Sequence, residues 1–368
     1  MRLAFLAGCL LAAPLAAQET VETAEPEAQD DRLTLTGLVQ TQFNTTSAAG
    51  ADDTELLLRR VRLGASVEVA PRVTGRVDAE LAPAAVGGSA EINEAYAQVE
   101  LHPALLVLAG KGGRPFGIVD ATSASALTPI ERGASFRGAQ AAEQYRTLEA
   151  LAYAGRSVGV QLQGDVPGLP VGLAYAAGYF SGAAGEEGAD ADIRQLAARV
   201  AVRPVSGVSI GLAATSRAFG ADQAAGFDGD GEVTGADPTG ETRRGAGYAI
   251  DVELGENGRP GPRLLAEFAG GTLDPFAGDR FVSAQGWAAW RVPVGAPLVD
   301  AVEPLVRASW SDNDGALGAI DGTLLTPGAN VYLAERTRLM LNLDVFLPSG
   351  DAGGDALVAG RAQVQVSF

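Results

Sequence analysis

The last thirteen residues of the chain, Ala356 to Phe368, alternate with a period of two between two unlike faces. One face is apolar and consists of Val358, Gly360, Ala362, Val364, Val366 and Phe368. The other face is increasingly polar and carries Arg361, Gln363, Gln365 and Ser367. This alternation predicts a β-strand that separates an apolar environment from a polar one.

The final strand ends on the aromatic residue Phe368, and in this it resembles the terminal assembly signal of bacterial outer-membrane β-barrels. In hydrocarbon a strand needs a neighbour on each side, because every unpaired backbone group there costs several kcal/mol. We therefore expect Ala356–Phe368 to pair with the first strand, Leu33–Phe43. We also expect Phe368 to act as the assembly signal for the barrel-assembly machinery.

The rest of the chain repeats this two-residue period. The mean hydropathy is +0.11, yet after the amino terminus no stretch approaches the roughly 18 apolar residues of a spanning helix. Short alternating segments of about ten residues occur instead, which is the length of a tilted transmembrane strand. The prediction is an all-β fold, a transmembrane antiparallel barrel of about 16 strands over residues 33–368.

The amino terminus predicts export. Residues 1–17 have the apolar run and small final residues of a signal peptide, and residues 18–32 are acidic and aperiodic, as in a disordered periplasmic lead. Leu6 to Cys9 also fits a lipobox, but an apolar region of about 7–15 residues should precede a cleavage site. If Cys9 leaves with the signal, the mature chain has no cysteine.

Connections between the predicted strands alternate between short and long. Short periplasmic turns and long extracellular loops are the pattern of outer-membrane barrels. The longest connection, Lys111–Ala154, exceeds ordinary loop lengths, and such loops are usually functional or disordered. Its glycines and Pro115 suit a turn into the lumen, and Tyr145–Ala154 could either hold another strand or belong to this loop.

The two-residue alternation also predicts which side chains face the lumen. Leu58, Arg60, Arg62, Gly64, Ser66 and Glu68 share one face of the second segment, which places Arg59 on the lipid side near the strand's outer end. The next two segments direct Arg76, Asp78, Glu80 and Glu94 inward. The predicted lumen is wet and mixed in charge, and its arginines and acids could equally pair with one another as structural elements of the wall.

Five motifs in the first half of the chain resemble, in order and rough spacing, the phosphate-selective porin family (porin O and P). They are Leu58 to Gly64, Ile92 to Tyr96, Ala109 to Gly117, Glu131-Arg132 and Arg156 to Gly164. The resemblance implies a sixteen-stranded trimeric channel in the bacterial outer membrane. It also implies a constriction formed by an infolded third loop and an anion path lined by lysine and arginine.

The constriction loop then contributes Lys111, Arg114, Glu131, Arg132 and Arg137, of which four are cations. The chain departs from the family pattern because Lys111 is its only lysine, and because its net charge of −18 becomes about −19 without Arg2. Arginine binds phosphate firmly through its fork of donors. We therefore expect passive diffusion of small hydrophilic solutes with a weak preference for anions, including phosphate. Full pairing of Arg60, Arg62 and Arg76 with Asp78, Glu80, Glu94 and Glu131 would leave the pore nearly unselective.

Other classes of function have less support. A general porin without selectivity or with cation preference, and a structural or adhesive barrel, stay open as alternatives. An enzyme is not expected, because the only histidine, His102, lies in a predicted periplasmic turn and no catalytic group is identified. No cofactor or metal is expected, and Asp228 to Glu232 only superficially resembles a calcium loop. Expected partners are small solutes, outer-membrane lipid with lipopolysaccharide, and two further copies in a homotrimer, but no nucleic acid.

Overall fold

A computed structural model describes residues 32–48, 51–136, 139, 141–181, 194–220, 242–275, 277–313, 319–334, 336–349 and 354–368. Residues 32–368 form one compact unit. The predicted signal peptide, nearly all of the acidic lead and the Asp228 to Glu232 segment lie outside the described residues.

Seventeen strands occur in this described part, and sixteen of them close one antiparallel barrel. Every barrel strand pairs with its neighbours in chain order, and β6 lies apart, in a parallel pairing with β15. The strands are β1 (Leu33–Ala48), β2 (Ala51–Ala70), β3 (Val73–Glu80), β4 (Glu91–His102), β5 (Leu105–Gly113), β6 (Ala141–Ala142), β7 (Arg156–Val166), β8 (Gly172–Ser181), β9 (Arg194–Arg203), β10 (Val208–Gly220), β11 (Thr242–Leu254), β12 (Gly261–Asp274), β13 (Asp279–Ala296), β14 (Val299–Asp312), β15 (Ile320–Ala334), β16 (Thr337–Pro348) and β17 (Leu357–Ser367).

Helical structure is confined to connections. A 3₁₀ turn, Pro83–Val86, lies between β3 and β4, and α1 (Ile118–Ala121) and α2 (Gln144–Ala150) lie between β5 and β7. No described helix has the length and apolar character that crossing a membrane would require.

The barrel closes where the first and last strands meet. β1 pairs with β17 from Leu38 opposite Ser367 to Ser47 opposite Val358, which confirms the pairing expected from the sequence. Beyond that register, Gly37 and Phe368 exchange two backbone hydrogen bonds of 2.8 and 3.0 Å. The Phe368 ring covers Gly37, because three of its atoms lie within 2.6 Å of where a Cβ would stand. Only glycine leaves room for the ring.

The two faces of each strand differ as the period of two predicts. On β16, Leu341 and Leu343 are exposed on the outer face, whereas Arg338, Asn342 and Asp344 are buried on the inner face. An apolar outer surface is favourable in hydrocarbon, and a polar inner surface lines the lumen.

Two details differ from the sequence expectations, and one that the sequence left open is decided. β15 begins at Ile320, inside Asp312–Pro327, which was predicted as a long connection. Tyr145–Ala154, which could hold another strand or belong to the preceding loop, belongs to the loop, in α2 and the residues that follow. The register of β1 and β2 shifts between Gln40 and Thr41, so that Arg59 is the extra residue of a β-bulge.

Residues 114–155, which we call the third loop, fold into the barrel. Phe116, Leu148 and Tyr153 pack against inward-facing residues of β10 to β13, including Phe219 and Phe281. A second apolar cluster joins the loop to β15, β16 and β17, and a third joins it to β12 and β13. The loop therefore covers the inner face of β10 to β17, and the opposite side of the lumen, near β1 to β4, stays open.

Replacing Phe368 with Ala should impair barrel assembly, because the ring covers Gly37 at the seam between the first and last strands. Ser367→Ala is the matched control, since Ser367 lies on the inner face one residue away. The fraction of chain that migrates as heat-modifiable barrel on a gel measures assembly. Equal losses from both variants would contradict this role of the ring.

Candidate functional site: the lumen and its third loop

A buried charge cluster holds the third loop against the wall. Arg307, one of the most deeply buried side chains, donates to the backbone carbonyls of Glu131 and Arg132 at 2.7 and 2.9 Å. Its other terminal nitrogen contacts Asp344 Oδ1 at 2.9 Å, and Arg361 contacts Asp344 Oδ2 at 2.6 Å. One buried carboxylate thus lies between two arginines, each of which also donates to a carbonyl of the loop.

Neutral side chains extend this attachment along the loop. Asn342 accepts a hydrogen bond from the Ile130 amide at 2.7 Å, and Asn330 donates to the Thr128 carbonyl at 3.0 Å. Gln285 donates to the Arg132 carbonyl at 2.8 Å, and Ser309 donates to Glu143 at 2.6 Å. These wall residues provide hydrogen-bond partners for polar groups of the buried loop.

The loop cations chosen from the sequence do not form one lining cluster. Lys111 belongs to β5, paired in register with the outward-facing Ala95 and Val158, so it is not a loop residue and does not share the lumenal face. Arg114 is buried and donates to Ser157 Oγ and the Ala154 carbonyl, which ties the two ends of the loop together. Burial, reinforced by the charge of Arg217, lowers the pKa of Arg114 to about 10. Arg137 lies outside the described residues.

Arg132 is also buried, and its guanidinium donates to the carbonyls of Val119 and Thr122 within the loop. The sequence could not show this, because a loop arginine that holds backbone carbonyls has the same local pattern as one that faces the pore. Arg114 and Arg132 therefore contribute first to the internal structure of the loop.

Arginines on the wall are largely paired with acids. Arg62 contacts Glu80 at 2.9 Å and Arg76 contacts Glu94 at 3.0 Å, all on the inner face. Asp78 accepts a hydrogen bond from Asn93 at 3.2 Å. Glu94 is shared, because Arg156 also approaches it, at 3.5 Å. This group of two arginines and one glutamate keeps one excess positive charge.

Glu131 is likewise shared, here between Arg59 and Arg60, at 2.5 and 2.9 Å. Arg59 was expected on the lipid side, and that expectation was wrong because the β-bulge shifts the alternation at this residue. Burial alone would raise the pKa of Glu131, but Arg59 and Arg60 hold it well below its usual range.

An opening of about 600 Å³ lies at the periplasmic end of the lumen. It is bordered by the turn at Asn257 and by Gly37 and Phe368 at the chain's ends. Its lining contains two acids, Asp78 and Glu94, against six arginines, a difference of four charges. These arginines are Arg62, Arg76, Arg156, Arg291, Arg336 and Arg338.

A smaller opening of about 260 Å³ lies on the extracellular side of the Glu131 contact. Five arginines and three glutamates line it, which leaves two excess positive charges. The charged residues are Arg59, Arg60, Arg132, Arg146, Arg361, Glu55, Glu131 and Glu149. Both linings therefore contain more arginines than acids, in a chain whose net charge is −18.

The sequence analysis missed four of the arginines that line the larger opening, Arg156, Arg291, Arg336 and Arg338. Within the described part of the chain Arg291, Arg336 and Arg338 form no ion pair with an acid. Arg291 lies over the Tyr332 ring at 3.8 Å, and Arg338 donates to the Ser125 carbonyl at 3.0 Å. The alternation of β13 and β16 could have identified Arg291 and Arg338, since each falls on the polar face of its strand.

His102, the chain's only histidine, is exposed at the end of β4, where its Nδ1 accepts a hydrogen bond from the Ala104 amide at 3.1 Å. Among the described residues no three histidine, cysteine or acidic side chains stand close enough to hold a metal ion.

Comparison with known proteins gives the family. The family model for phosphate-selective porin O and P matches residues 34–228, more than half of the chain, and the chain belongs to this family. No protein in the curated comparison matches the sequence significantly.

Solved structures share the fold at low sequence identity. An anion-selective porin from Comamonas acidovorans is 14% identical and has a TM-score of 0.62, over 91% of this chain and 99% of that chain. OprB of Pseudomonas putida is 12% identical with a TM-score of 0.62, over 92% and 95%. OmpT of Vibrio cholerae, in its trimer form, is 13% identical with a TM-score of 0.56, over 91% and 99%.

Family and fold together define an outer-membrane porin, a channel for passive diffusion of small hydrophilic solutes. They are those of a channel rather than of an enzyme. The closed sixteen-stranded barrel and the infolded third loop agree with the architecture that the sequence resemblance implied.

Replacing Arg307 with Met should release the third loop, because Asp344 and the Glu131 and Arg132 carbonyls lose their shared donor. Removing one partner from a buried ion pair costs about 3–5 kcal/mol. We expect larger current noise in single-channel recordings and faster tryptic cleavage within the loop. Arg244→Met, at an exposed arginine, is the control, and unchanged noise and cleavage in Arg307→Met would contradict the anchoring role.

Proposed function

We propose that this porin conducts small anions, including inorganic phosphate, in weak preference to cations. The observation that carries the proposal is the excess of arginine over acid in the linings of both openings, four charges in the larger and two in the smaller. Low-dielectric walls concentrate such a field, and charged side chains at a constriction set ion preference. The net charge of −18 also includes groups farther from the ion path, and salt screens charges that lie more than about 8 Å away.

Weak preference rather than tight binding follows from the way the arginines are held. Arg62 and Arg76 already contact Glu80 and Glu94, so an anion must compete with a carboxylate for their donors. Arg291, Arg336 and Arg338 supply the positive charge that these pairs do not cancel. A conducting site has to release its ion as readily as it captures it.

Reversal potentials in a potassium chloride gradient across planar bilayers test this proposal. We expect a modest chloride preference that falls in Arg156→Gln, since Glu94 would then neutralise Arg76 alone and the larger opening would lose one charge. The matched control is Arg259→Gln, because Arg259 is an exposed periplasmic arginine outside both linings and pairs with Glu256 in its own turn. Cation preference in the unmodified channel would overturn the proposal and favour the general-porin alternative.

We also propose that the channel assembles as a homotrimer and that its outer surface contacts outer-membrane lipid and lipopolysaccharide. A trimer form of OmpT from Vibrio cholerae, which has the same fold, supports the first part. The Phe368 seam supports recognition of the terminal strand by the barrel-assembly machinery.

Chemical cross-linking in native membranes should give monomer, dimer and trimer bands, because neighbouring barrels in a trimer stay in fixed contact. Cross-linking after dilution into detergent that dissociates the oligomer provides the control. A ladder limited to the monomer in membranes would contradict the trimer.

A further inference from the structure

The β-bulge on β2 places two consecutive arginines on the lumenal side. In a regular strand adjacent side chains point to opposite faces, so Arg59 and Arg60 could not both reach one group. The register shift opposite Gln40 and Thr41 removes this restriction. Arg59 and Arg60 then meet the same carboxylate, that of Glu131 on the third loop.

Glu131 makes this contact from the third loop. The third loop packs on β10 to β17, and the Glu131 side chain reaches β2 on the opposite side of the seam. Its backbone is held independently, because Arg307 donates to the Glu131 carbonyl at 2.7 Å. Removing only the carboxylate charge therefore leaves the main attachment of the loop in place.

Little water screens Arg60 and Glu131. Their side chains are only 7% and 11% exposed, whereas that of Arg59 is 39% exposed, and all three line the 260 Å³ opening. A charge at such a position has a greater effect on a passing ion than one at an exposed rim.

We propose that Glu131 determines the selectivity of the channel by masking Arg59 and Arg60 together, so that one carboxylate limits the anion preference that two arginines would otherwise confer. This inference rests on the proposed function and deepens it. The bulge is the feature that makes the masking possible, because it brings the second arginine to the same acid.

Glu131→Gln tests the masking, since glutamine keeps the shape and removes the charge. The chloride-to-potassium permeability ratio, from reversal potentials, should rise about threefold for one unit charge within several ångströms of the ion path. Glu131→Asp, which keeps the charge, should restore the ratio toward that of the unmodified channel. Adding Arg59→Gln to Glu131→Gln should reverse the gain, because the unmasked arginine is then removed.

Glu256→Gln is the matched control. Glu256 also forms an ion pair with an arginine, Arg259, but it lies outside the linings of both openings. An unchanged or lower ratio in Glu131→Gln would overturn the inference, and so would an equal rise in Glu256→Gln. If Glu131→Gln only loosened the loop, the channel would instead have a higher conductance and would discriminate less between chloride and potassium.

Two results keep this test separate from that of the proposed function. If the unmodified channel prefers cations, the proposed function fails, yet the direction of the Glu131→Gln shift still reports on masking. If Glu131→Gln does not assemble, Arg59→Gln alone decides, because Glu131 would then fully neutralise Arg60 and anion preference should fall. No change in that variant would overturn the masking.

Discussion

Hydrocarbon cannot hydrogen-bond to a peptide group, and the rest of this structure depends on how the chain satisfies that constraint. Each of the sixteen barrel strands in the described part has a partner on both sides, and β1 pairs with β17 to remove the last free edge. The closure depends on local detail at one point, where Phe368 lies over Gly37 and exchanges backbone hydrogen bonds with it. A side chain at position 37 would displace the ring from the seam.

Closure also separates the lipid outside the barrel from the water inside it, so the inner face can carry charges that would be unfavourable in lipid. These inner charges have two roles. On the β10 to β17 side, Arg307, Asp344 and Arg361 are almost fully buried and hold the third loop. On the β2 to β4 side, partly exposed arginines and acids border the openings. On both sides one carboxylate lies between two arginines. The carboxylate that attaches the loop is buried, whereas the one beside the ion path is partly hydrated.

Much of the fold could be predicted from the sequence because a barrel strand repeats every two residues, and a long series of such strands accumulates a clear pattern. The terminal pairing, the lumenal face of β3 and the infolding loop follow from that period and from the lengths of the connections. The bulge at Arg59 could not be predicted, because one inserted residue leaves the composition of the strand unchanged. It only reverses which face of the strand the following residues occupy. Pro327 likewise suggested a loop, although β15 continues through it.

Candidate site residues were harder to predict, because an arginine's role depends on what lies opposite it in the closed barrel. Lys111 resembles a loop cation in sequence, but its register on β5 assigns it to the outer face. Arg114 and Arg132 donate to carbonyls of the loop, whereas Arg291 and Arg338, more than a hundred residues later, line the larger opening. Pairing across distant strands therefore determines which cations an ion meets, and net charge does not. A chain with a charge of −18 can thus surround its path with an excess of arginine, because most acids in the described part of the chain lie outside both linings.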